Sequence, residues 1–303
     1  MAEGTTVLTE LSDALANAVA KAGASTVMVN ARRRIPASGV VWSNDGIIVT
    51  SDHVVEREDD ISIGLADGST VKAQLVGRDP GSDIAILRID AGKAPGAQLA
   101  AEASRIGHLV LAVGRPVEGD VMASFGVVGA VGGAWRTFRG GTVEGYIRSD
   151  VTFYPGFSGG PLVDGEGRVV GINSSRLGRG AGLTIPAAAV SQIVEQLLKG
   201  GKIRRGYLGI GSQPVRIPAT IASKLGREQE TGLLVVGVET GSAAEKGGLL
   251  VGDILVAFGE ALLQDTDDLQ TQLGTDSVGQ PKQVAILRGG EPKTLTITVG
   301  ERE

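Results

Sequence analysis

The chain of 303 residues contains no cysteine and only two histidines, His53 and His108. The absence of cysteine excludes disulfide bonds, thiolate catalysis and the common zinc sites that use cysteine ligands. Two histidines are too few for a metal site built from several imidazoles, and we expect neither a metal nor another cofactor. The chain also lacks any run of about 18 apolar residues, so no transmembrane helix is predicted.

Neither sign of charge dominates the sequence, since 34 acidic and 29 basic residues give a formal net charge of -5. A charge this weak and dispersed does not favour nucleic acid as a partner. The N-terminal residues 1–13 lack the basic and then apolar layout of a signal peptide. We therefore expect either a protein that stays inside the cell or one whose export segment has been removed.

Composition and pattern predict two mainly β domains. Hydrophobic residues make up 42% and charged residues 21%, which is typical of soluble globular proteins. Short valine and isoleucine runs, separated by some of the 47 glycines, extend from Val40 to Ile172 and indicate a barrel or sandwich. Two helices are predicted from apolar residues three and four positions apart. Those residues are Leu8, Leu11, Leu15 and Val19, then Val190, Ile193, Val194, Leu197 and Leu198.

The two helices frame the first domain. The N-terminal helix should cover residues 7–22 and stop at Gly23, and the second should end at Gly200 and Gly201. A basic stretch, 202–205, follows, and a new β-rich segment begins at about Gly206. We therefore place one domain at residues 1–201 and a second at residues 205–303.

Three residues in the first domain could carry nucleophilic catalysis. Ser158 lies between glycines, which let a backbone turn tightly and aim N–H groups at developing negative charge. A nucleophilic serine also needs a general base and a group that orients the base. His53, after a Val/Ile run, and Asp83, before an apolar run, are the candidates. Taken singly, each also fits a structural role: a turn serine, a buried histidine and a turn-capping aspartate.

The surrounding segments read TSDHVV at His53, SDIAILR at Asp83 and GFSGGPL at Ser158. With SGVVW, VLAVGRP and GRVVGINSS, they make about the first 200 residues resemble the trypsin-like proteases of the HtrA/Deg family. The resemblance implies a chymotrypsin/trypsin-like double β-barrel. It also implies that Ser158 attacks the scissile carbonyl, His53 transfers the proton and Asp83 holds the imidazole. His108 matches no catalytic position and is interpreted as a surface or structural residue.

Two features depart from the family pattern. The oxyanion hole would be formed by Gly156, Phe157 and Ser158, but the family has asparagine where this chain has Phe157. Because that position contributes chiefly backbone, we expect the change to alter how the loop orders rather than to abolish catalysis. No aromatic residue precedes Trp42, although many members use N-terminal aromatics at a trimer interface. A homotrimer or higher oligomer is therefore implied by the resemblance alone.

The resemblance also places a specificity pocket for the substrate side chain. Its residues would be Thr152, Phe153, Ser174, Ser175, Arg176 and Leu177. Thr152 occupies the position where trypsin-type enzymes with basic specificity carry aspartate, and Phe153 should shorten the pocket. We expect a small to medium apolar side chain at the cleavage site.

The second domain begins with GYLGIG at residues 206–211, and this segment resembles the binding loop of a PDZ domain, an α+β module that binds peptide C-termini. Its carboxylate-binding loop would be Tyr207, Leu208, Gly209 and Ile210. Glycine allows successive N–H groups to converge on a carboxylate, and the strand that follows needs a free edge. The segment GLLVVGVETGSAAEKGGLLVGDILVAFG resembles a PDZ core, and a helix over residues 266–273 would form the other wall of the groove.

Together these features predict a serine endopeptidase that degrades unfolded or misfolded proteins in protein quality control and the stress response. The PDZ domain would regulate it or tether its substrates, and the resemblance favours an extracytoplasmic location. Two alternatives stay open: a catalytically silent chaperone or scaffold, and an adaptor in which only the PDZ domain acts. The intact His53, Asp83 and Ser158 argue against the silent form.

Overall fold

The computed structural model describes residues 2–33, 35–117, 119–137, 141–178, 182–226 and 228–301. The chain divides into two compact units, Met1–Lys202 and Ile203–Glu303. The prediction of a mainly β protein with two barrels followed by a smaller α+β unit is confirmed. Within these described ranges, no helix combines the length and apolarity needed to cross a membrane.

The first helix, α1 (Ala2–Ser25), is longer at both ends than the predicted 7–22. Gly23 does not end it, because the last carbonyl groups find other partners. The hydroxyls of Ser25 and Thr26 both donate to the Ala22 carbonyl, at 3.1 and 2.8 Å. Gly23 instead allows close packing, since an ideal Cβ there would lie 3.2 Å from a methyl of Val121.

Six antiparallel strands close the first barrel in the order β1-β2-β3-β6-β5-β4. They are β1 (Thr26–Asn30), β2 (Ala37–Val41), β3 (Ile47–Ser51), β4 (Ile61–Gly64), β5 (Thr70–Asp79) and β6 (Ile84–Arg88). Valine, isoleucine and alanine side chains from all six strands fill its interior. This barrel carries His53 and Asp83.

The second barrel also closes with six strands, in the order β11-β14-β13-β12-β7-β8. The strands of this half are β7 (Leu109–Gly114), β8 (Met122–Gly132), the short hairpin β9 (Trp135–Arg136) and β10 (Thr142–Val143), β11 (Tyr146–Ser149), β12 (Pro161–Val163), β13 (Val169–Ser174) and β14 (Leu183–Pro186). Helix α2 (Ala187–Gly200) follows, and Gly201 ends it in the left-handed conformation with its N–H on the Leu197 carbonyl. Ser158 lies in the loop before β12.

The second unit is a sheet with short helices at its sides. Its elements are β15 (Gly206–Tyr207), β16 (Ile210–Arg216), α3 (Ala219–Ala222), β17 (Thr231–Val238), α4 (Ala243–Lys246), β18 (Ile254–Phe258), β19 (Ala261–Leu262), α5 (Thr266–Gln272), β20 (Pro281–Arg288), β21 (Glu291–Thr298) and β22 (Gly300–Glu301). The main sheet runs β16-β17-β18-β20-β21, so β16 is an edge strand. Asp265 caps α5 with its side chain in a capping box with Asp268.

A buried ion pair ties two regions of this second unit together. Asp253, 1% exposed, accepts from Nε and Nη2 of Arg288, each at 2.8 Å, and from the Leu250 N–H at 2.8 Å. Burial alone would raise the pKa of Asp253. The hydrogen bonds from Arg288 and Leu250, with the charge of Arg288, outweigh burial and hold that pKa below its usual value.

Replacing Asp253 by asparagine should destabilise the second unit by about 2–3 kcal/mol at pH 7, less than for a fully buried pair because Arg288 is partly exposed. Because the pKa of Asp253 is lower in the folded than in the unfolded state, its ionised form stabilises the fold at pH values above the unfolded pKa. This stabilisation is lost as the pH falls through the folded pKa. The difference between wild type and Asp253→Asn should therefore shrink towards pH 3. Amide hydrogen exchange in β18 measures it, with the exposed Asp276→Asn as control. Equal differences at both pH values would contradict the assignment.

Candidate active site

His53 and Asp83 are brought together by the pairing of β3 with β6. Ser51, the last residue of β3, pairs with Ile84, the first of β6. A single 3₁₀ turn, Asp52–Val54, follows β3 and carries His53. The Asp52 N–H donates to the Asp83 carbonyl at 3.0 Å. Two sequence-distant side chains thus meet because each adjoins the same end of one strand pair.

The Asp83 carboxylate is 2% exposed and holds the imidazole of His53 in one orientation. Its two oxygens lie 2.9 and 2.8 Å from His53 Nδ1, and one also accepts the His53 backbone N–H at 3.0 Å. The Ser174 hydroxyl donates to the same carboxylate. Because an ionised carboxylate only accepts, the proton of a neutral imidazole lies on Nδ1 and Nε2 keeps its lone pair. Asp83 has a φ of 60°, a left-handed conformation that is strained for a residue other than glycine.

The serine loop is a tight turn that leaves two N–H groups free. The Phe157 N–H donates to the Tyr154 carbonyl at 3.0 Å across Pro155 and Gly156, and Gly156 has a φ of 88°. The Gly160 N–H closes the next turn on the Phe157 carbonyl at 2.9 Å. Among the residues that the structure describes, the N–H groups of Gly156 and Ser158 have no acceptor. Two free donors of this kind suit a developing oxyanion.

One expected oxyanion donor is wrong. The N–H of Phe157 is occupied by the Tyr154 carbonyl, so it is not available to a ligand. The Phe157 side chain is fully buried, with its ring edge-to-face against Tyr154 at 5.4 Å between centroids. An ideal Cβ at Gly114 would lie only 2.6 Å from the Phe157 ring. Phe157 therefore anchors the loop in the second barrel's core instead of contributing to the hole.

At rest, the Ser158 hydroxyl is paired with Ser175 and not with His53. Ser158 Oγ lies 2.8 Å from Ser175 Oγ and accepts the Ser175 N–H at 3.2 Å. No hydrogen bond links it to the His53 ring in the described part of the chain. The serine hydroxyl is therefore hydrogen-bonded to Ser175 in this structure instead of to the base.

The residues expected to form a specificity pocket separate into two groups. Phe153 lies against Gly182, where an ideal Cβ would be 2.3 Å from its ring, and Thr152 is exposed with its carbonyl accepting from the Ser124 hydroxyl. The side chain of Ser174, in contrast, serves Asp83, and its oxygen also accepts the N–H groups of Arg176 and Leu177. The Ser174 hydroxyl is thus engaged within the site, and the place of Ser174 in the pocket wall stays a prediction. Residues 179–181, which continue this loop, lie outside the described ranges.

A second candidate site lies in the second unit. Gly209 has a φ of 77°, and the N–H groups of Leu208 and Gly209 have no acceptor among the described residues. The Glu239 N–H donates to the Gly209 carbonyl. In an antiparallel ladder this makes the next pair, Ile210 with Val238, a non-hydrogen-bonded pair. The Ile210 N–H therefore points away from β17. Three successive donors are therefore available beside a free strand edge.

The loop of this second site is held from behind. The Leu208 carbonyl accepts the Ala244 N–H at 2.8 Å, which ties the loop to α4. Leu208, Ile210, Leu269 and Leu273 share one apolar cluster, so the α5 side of the loop is apolar. In the part of the chain that the structure describes, no group of three or more histidine, aspartate or glutamate side chains could hold a metal ion.

Sequence reasoning missed Ser38, Arg115 and the resting partner of Ser158. Ser38 and Arg115 lie within the quoted SGVVW and VLAVGRP segments, but no local pattern shows that Ser38 contacts the serine loop or that Arg115 contacts Ser38. Ser175 was expected only as a pocket residue. The sequence carries no signal for the hydrogen bond between Ser175 and Ser158, because that bond depends on side-chain orientation.

Comparison with known proteins assigns a family to each of the two units. The trypsin-like peptidase domain family matches residues 37–172, and the PDZ domain family matches residues 206–299. A probable periplasmic serine endoprotease, DegP-like, of Pseudomonas putida is 36% identical over 269 residues, or 87% of this chain and 55% of the relative. The chain thus spans about half the length of the curated relatives it matches.

Solved structures match over nearly the whole chain. The HtrA-type protease AlgW with a tripeptide is 31% identical, with a TM-score of 0.70 over 95% of this chain and 97% of that one. The serine endoprotease from Yersinia pestis is 28% identical, with a TM-score of 0.74 over 95% and 98%.

Proposed function

Because this chain belongs to the HtrA family of trypsin-like serine endoproteases with a PDZ domain, we propose that it hydrolyses peptide bonds within proteins through Ser158. The observation that carries the proposal is the convergence of His53, held by Asp83, with a serine loop that presents two free N–H groups. This arrangement contains the base, the orienting acid and the oxyanion donors that acyl transfer needs.

In the proposed reaction, Ser158 first rotates from Ser175 towards His53. Nε2 takes the hydroxyl proton as Oγ attacks the scissile carbonyl, and Asp83 stabilises the imidazolium through Nδ1. The carbonyl oxygen becomes an oxyanion that accepts from the N–H groups of Gly156 and Ser158. The imidazolium then protonates the leaving amine, and water hydrolyses the acyl-enzyme by the same steps.

Replacing Ser158 by alanine should lower turnover of an unfolded substrate such as casein by about 10⁴- to 10⁶-fold with the fold intact. His53→Ala should be nearly as severe and the double variant scarcely worse, since triad members act as a unit. A fluorophosphonate probe should label wild type but not Ser158→Ala, with Ser69→Ala on an exposed hairpin as control. A wild-type chain that is neither labelled nor active would favour the silent chaperone or scaffold.

For specificity, we propose cleavage after small to medium apolar residues. The exposed Thr152 supplies no negative charge for lysine or arginine, and the Phe153 ring against Gly182 shortens the space beside the loop. Ser175 and Arg176 would border the substrate on the other side.

Cleavage sites in a denatured protein, mapped by mass spectrometry, should follow valine, alanine or leucine. Phe153→Ala removes the ring from the wall and should shift cleavage towards larger residues such as phenylalanine and methionine. Leu198→Ala, which removes an exposed apolar side chain on α2, is the control. A majority of cuts after basic residues in wild type would reject the pocket assignment.

The biological role we propose is degradation of unfolded or misfolded proteins in protein quality control and the stress response, outside the cytoplasm. The periplasmic location in the names of the relatives supports the compartment. Assembly as a homotrimer or higher oligomer remains a proposal from the family resemblance.

For the second unit, we propose that peptides with a free C-terminal carboxylate and an apolar last residue bind beside β16. The carboxylate would accept from the N–H groups of Leu208, Gly209 and Ile210, and the peptide would pair with the strand edge over residues 210–213. The apolar cluster with Leu269 would receive the last side chain. Binding would then change proteolytic rate or tether substrates.

Gly209→Val should abolish peptide binding, because a Cβ there would lie 2.3 Å from Ser242 Cβ in a left-handed backbone conformation. Gly237→Val, where a Cβ meets nothing within 4 Å, is the control and should bind normally. Amidation of the peptide should weaken binding to wild type. Titration by fluorescence anisotropy measures affinity, and reporter turnover with and without peptide measures coupling. Unchanged affinity in Gly209→Val would contradict the proposed loop.

A further inference from the structure

The serine loop rests on the side chain of one fully buried residue, Ser38 on β2. Ser38 Oγ donates to the Gly156 carbonyl at 2.7 Å, and the Ser38 N–H donates to the Ser158 carbonyl at 3.2 Å. The Ser38 carbonyl accepts from the Thr50 hydroxyl at 2.7 Å, which fixes it within the first barrel. Ser38 therefore contacts both residues whose N–H groups form the proposed oxyanion hole.

These contacts restrict Gly156, a glycine of the loop. Gly156 has no side chain of its own to pack and lies at a φ of 88°. The Gly156 N–H points to the proposed oxyanion hole, and the Gly156 carbonyl accepts from Ser38 Oγ. A backbone rotation of Gly156 that moves the N–H would therefore also strain or break the hydrogen bond to Ser38. A glycine that could sample many conformations is thereby tethered in one.

Arg115 orients the Ser38 hydroxyl through a hydrogen bond from its backbone N–H. The Arg115 N–H donates to Ser38 Oγ at 2.8 Å, so the hydroxyl's own proton is left for Gly156. The guanidinium, 3% exposed, donates to the carbonyls of Thr26 at 2.8 Å, Gly23 at 2.9 Å and Gly119 at 2.6 Å. Burial lowers the pKa of Arg115 from its ordinary value. Arg115 thus joins these parts as one residue: its side chain binds the end of α1, the start of β1 and the β7–β8 connection, and its backbone N–H binds Ser38.

We propose that Ser38 is a positioning residue for the oxyanion hole and that Arg115 holds it in place. Ser38 touches neither substrate nor the reacting atoms and acts through Gly156 and Ser158. The inference rests on the proposed function, because the positioning matters only if an oxyanion forms in this loop. A buried serine with a merely structural role would contribute to stability without affecting transition-state binding.

The test compares Ser38→Ala with Ser25→Ala, a variant that also removes a buried hydroxyl bonded to a backbone carbonyl. Removing one oxyanion donor outright costs about 10²- to 10³-fold in kcat, so loosening the loop should cost about 10- to 100-fold. For Ser38→Ala we expect this fall in kcat with KM within about twofold, and an equal loss of affinity for a peptide boronate that forms a tetrahedral adduct. Ser25→Ala should lower Tm while leaving both quantities unchanged.

Hydrogen exchange provides a second measurement, which does not require the protein to be catalytically active. Hydrogen exchange at the Phe157 and Gly160 amides should accelerate in Ser38→Ala and not in Ser25→Ala, since both amides close the turns of the loop. If wild type proves inactive, the proposed function fails, and exchange alone decides whether Ser38 orders the loop. If Ser38→Ala does not fold, Ser38→Cys, with a weaker donor of similar size, should show the same changes to a smaller extent. A folded variant with normal kcat, boronate affinity and loop exchange would overturn the proposal.

Discussion

The proposed active site depends on the close contact between the serine loop and the backbone of the first barrel. Gly159 lies so near β2 and β3 that a Cβ there would be 2.2 Å from the Ser38 carbonyl oxygen and 2.3 Å from the Thr50 hydroxyl. The serine comes from one barrel and the histidine and aspartate from the other, so this approach sets their separation. The two barrels keep separate apolar cores, and the interface at the site is built from small polar groups whose hydrogen bonds are directional. Directional contacts fix a geometry that apolar packing alone would leave looser.

Within that frame, the members of the site differ in how firmly they are held. Asp83 and His53 adjoin a paired strand end and are locked by several hydrogen bonds. The oxyanion donors are fixed by two turns and by Phe157 beneath them. Ser158 Oγ is held only by its contacts with Ser175 among the described residues, and reorienting a side chain is a fast motion that requires no backbone change. The resting structure is therefore close to a reactive arrangement without being in one.

Much of this could be predicted from the sequence, because strand alternation, glycine-rich turns and the three motif segments are local patterns. The β architecture and the candidate residues His53, Asp83 and Ser158 follow from them. The C-terminal end of α1 could not, since the carbonyl of Gly23 is satisfied by Arg115, which lies about ninety residues away in the chain. The occupied Phe157 N–H and the Ser158–Ser175 pair also escaped prediction. Both depend on turn geometry and side-chain rotation, which residue identity alone leaves open.

The edge strand of the second unit has one further consequence. Strand β16 carries an irregularity between Gly211 and Ser212, and Pro214 follows two residues later. Proline has no N–H to offer to an added strand, so the edge cannot extend a continuous ladder along its whole length. Only a short stretch of an added strand can form ladder hydrogen bonds with β16, and two copies of this unit gain little by pairing their β16 edges. Pro214 thus limits the length of any strand that can pair with β16 and disfavours edge-to-edge association through this strand.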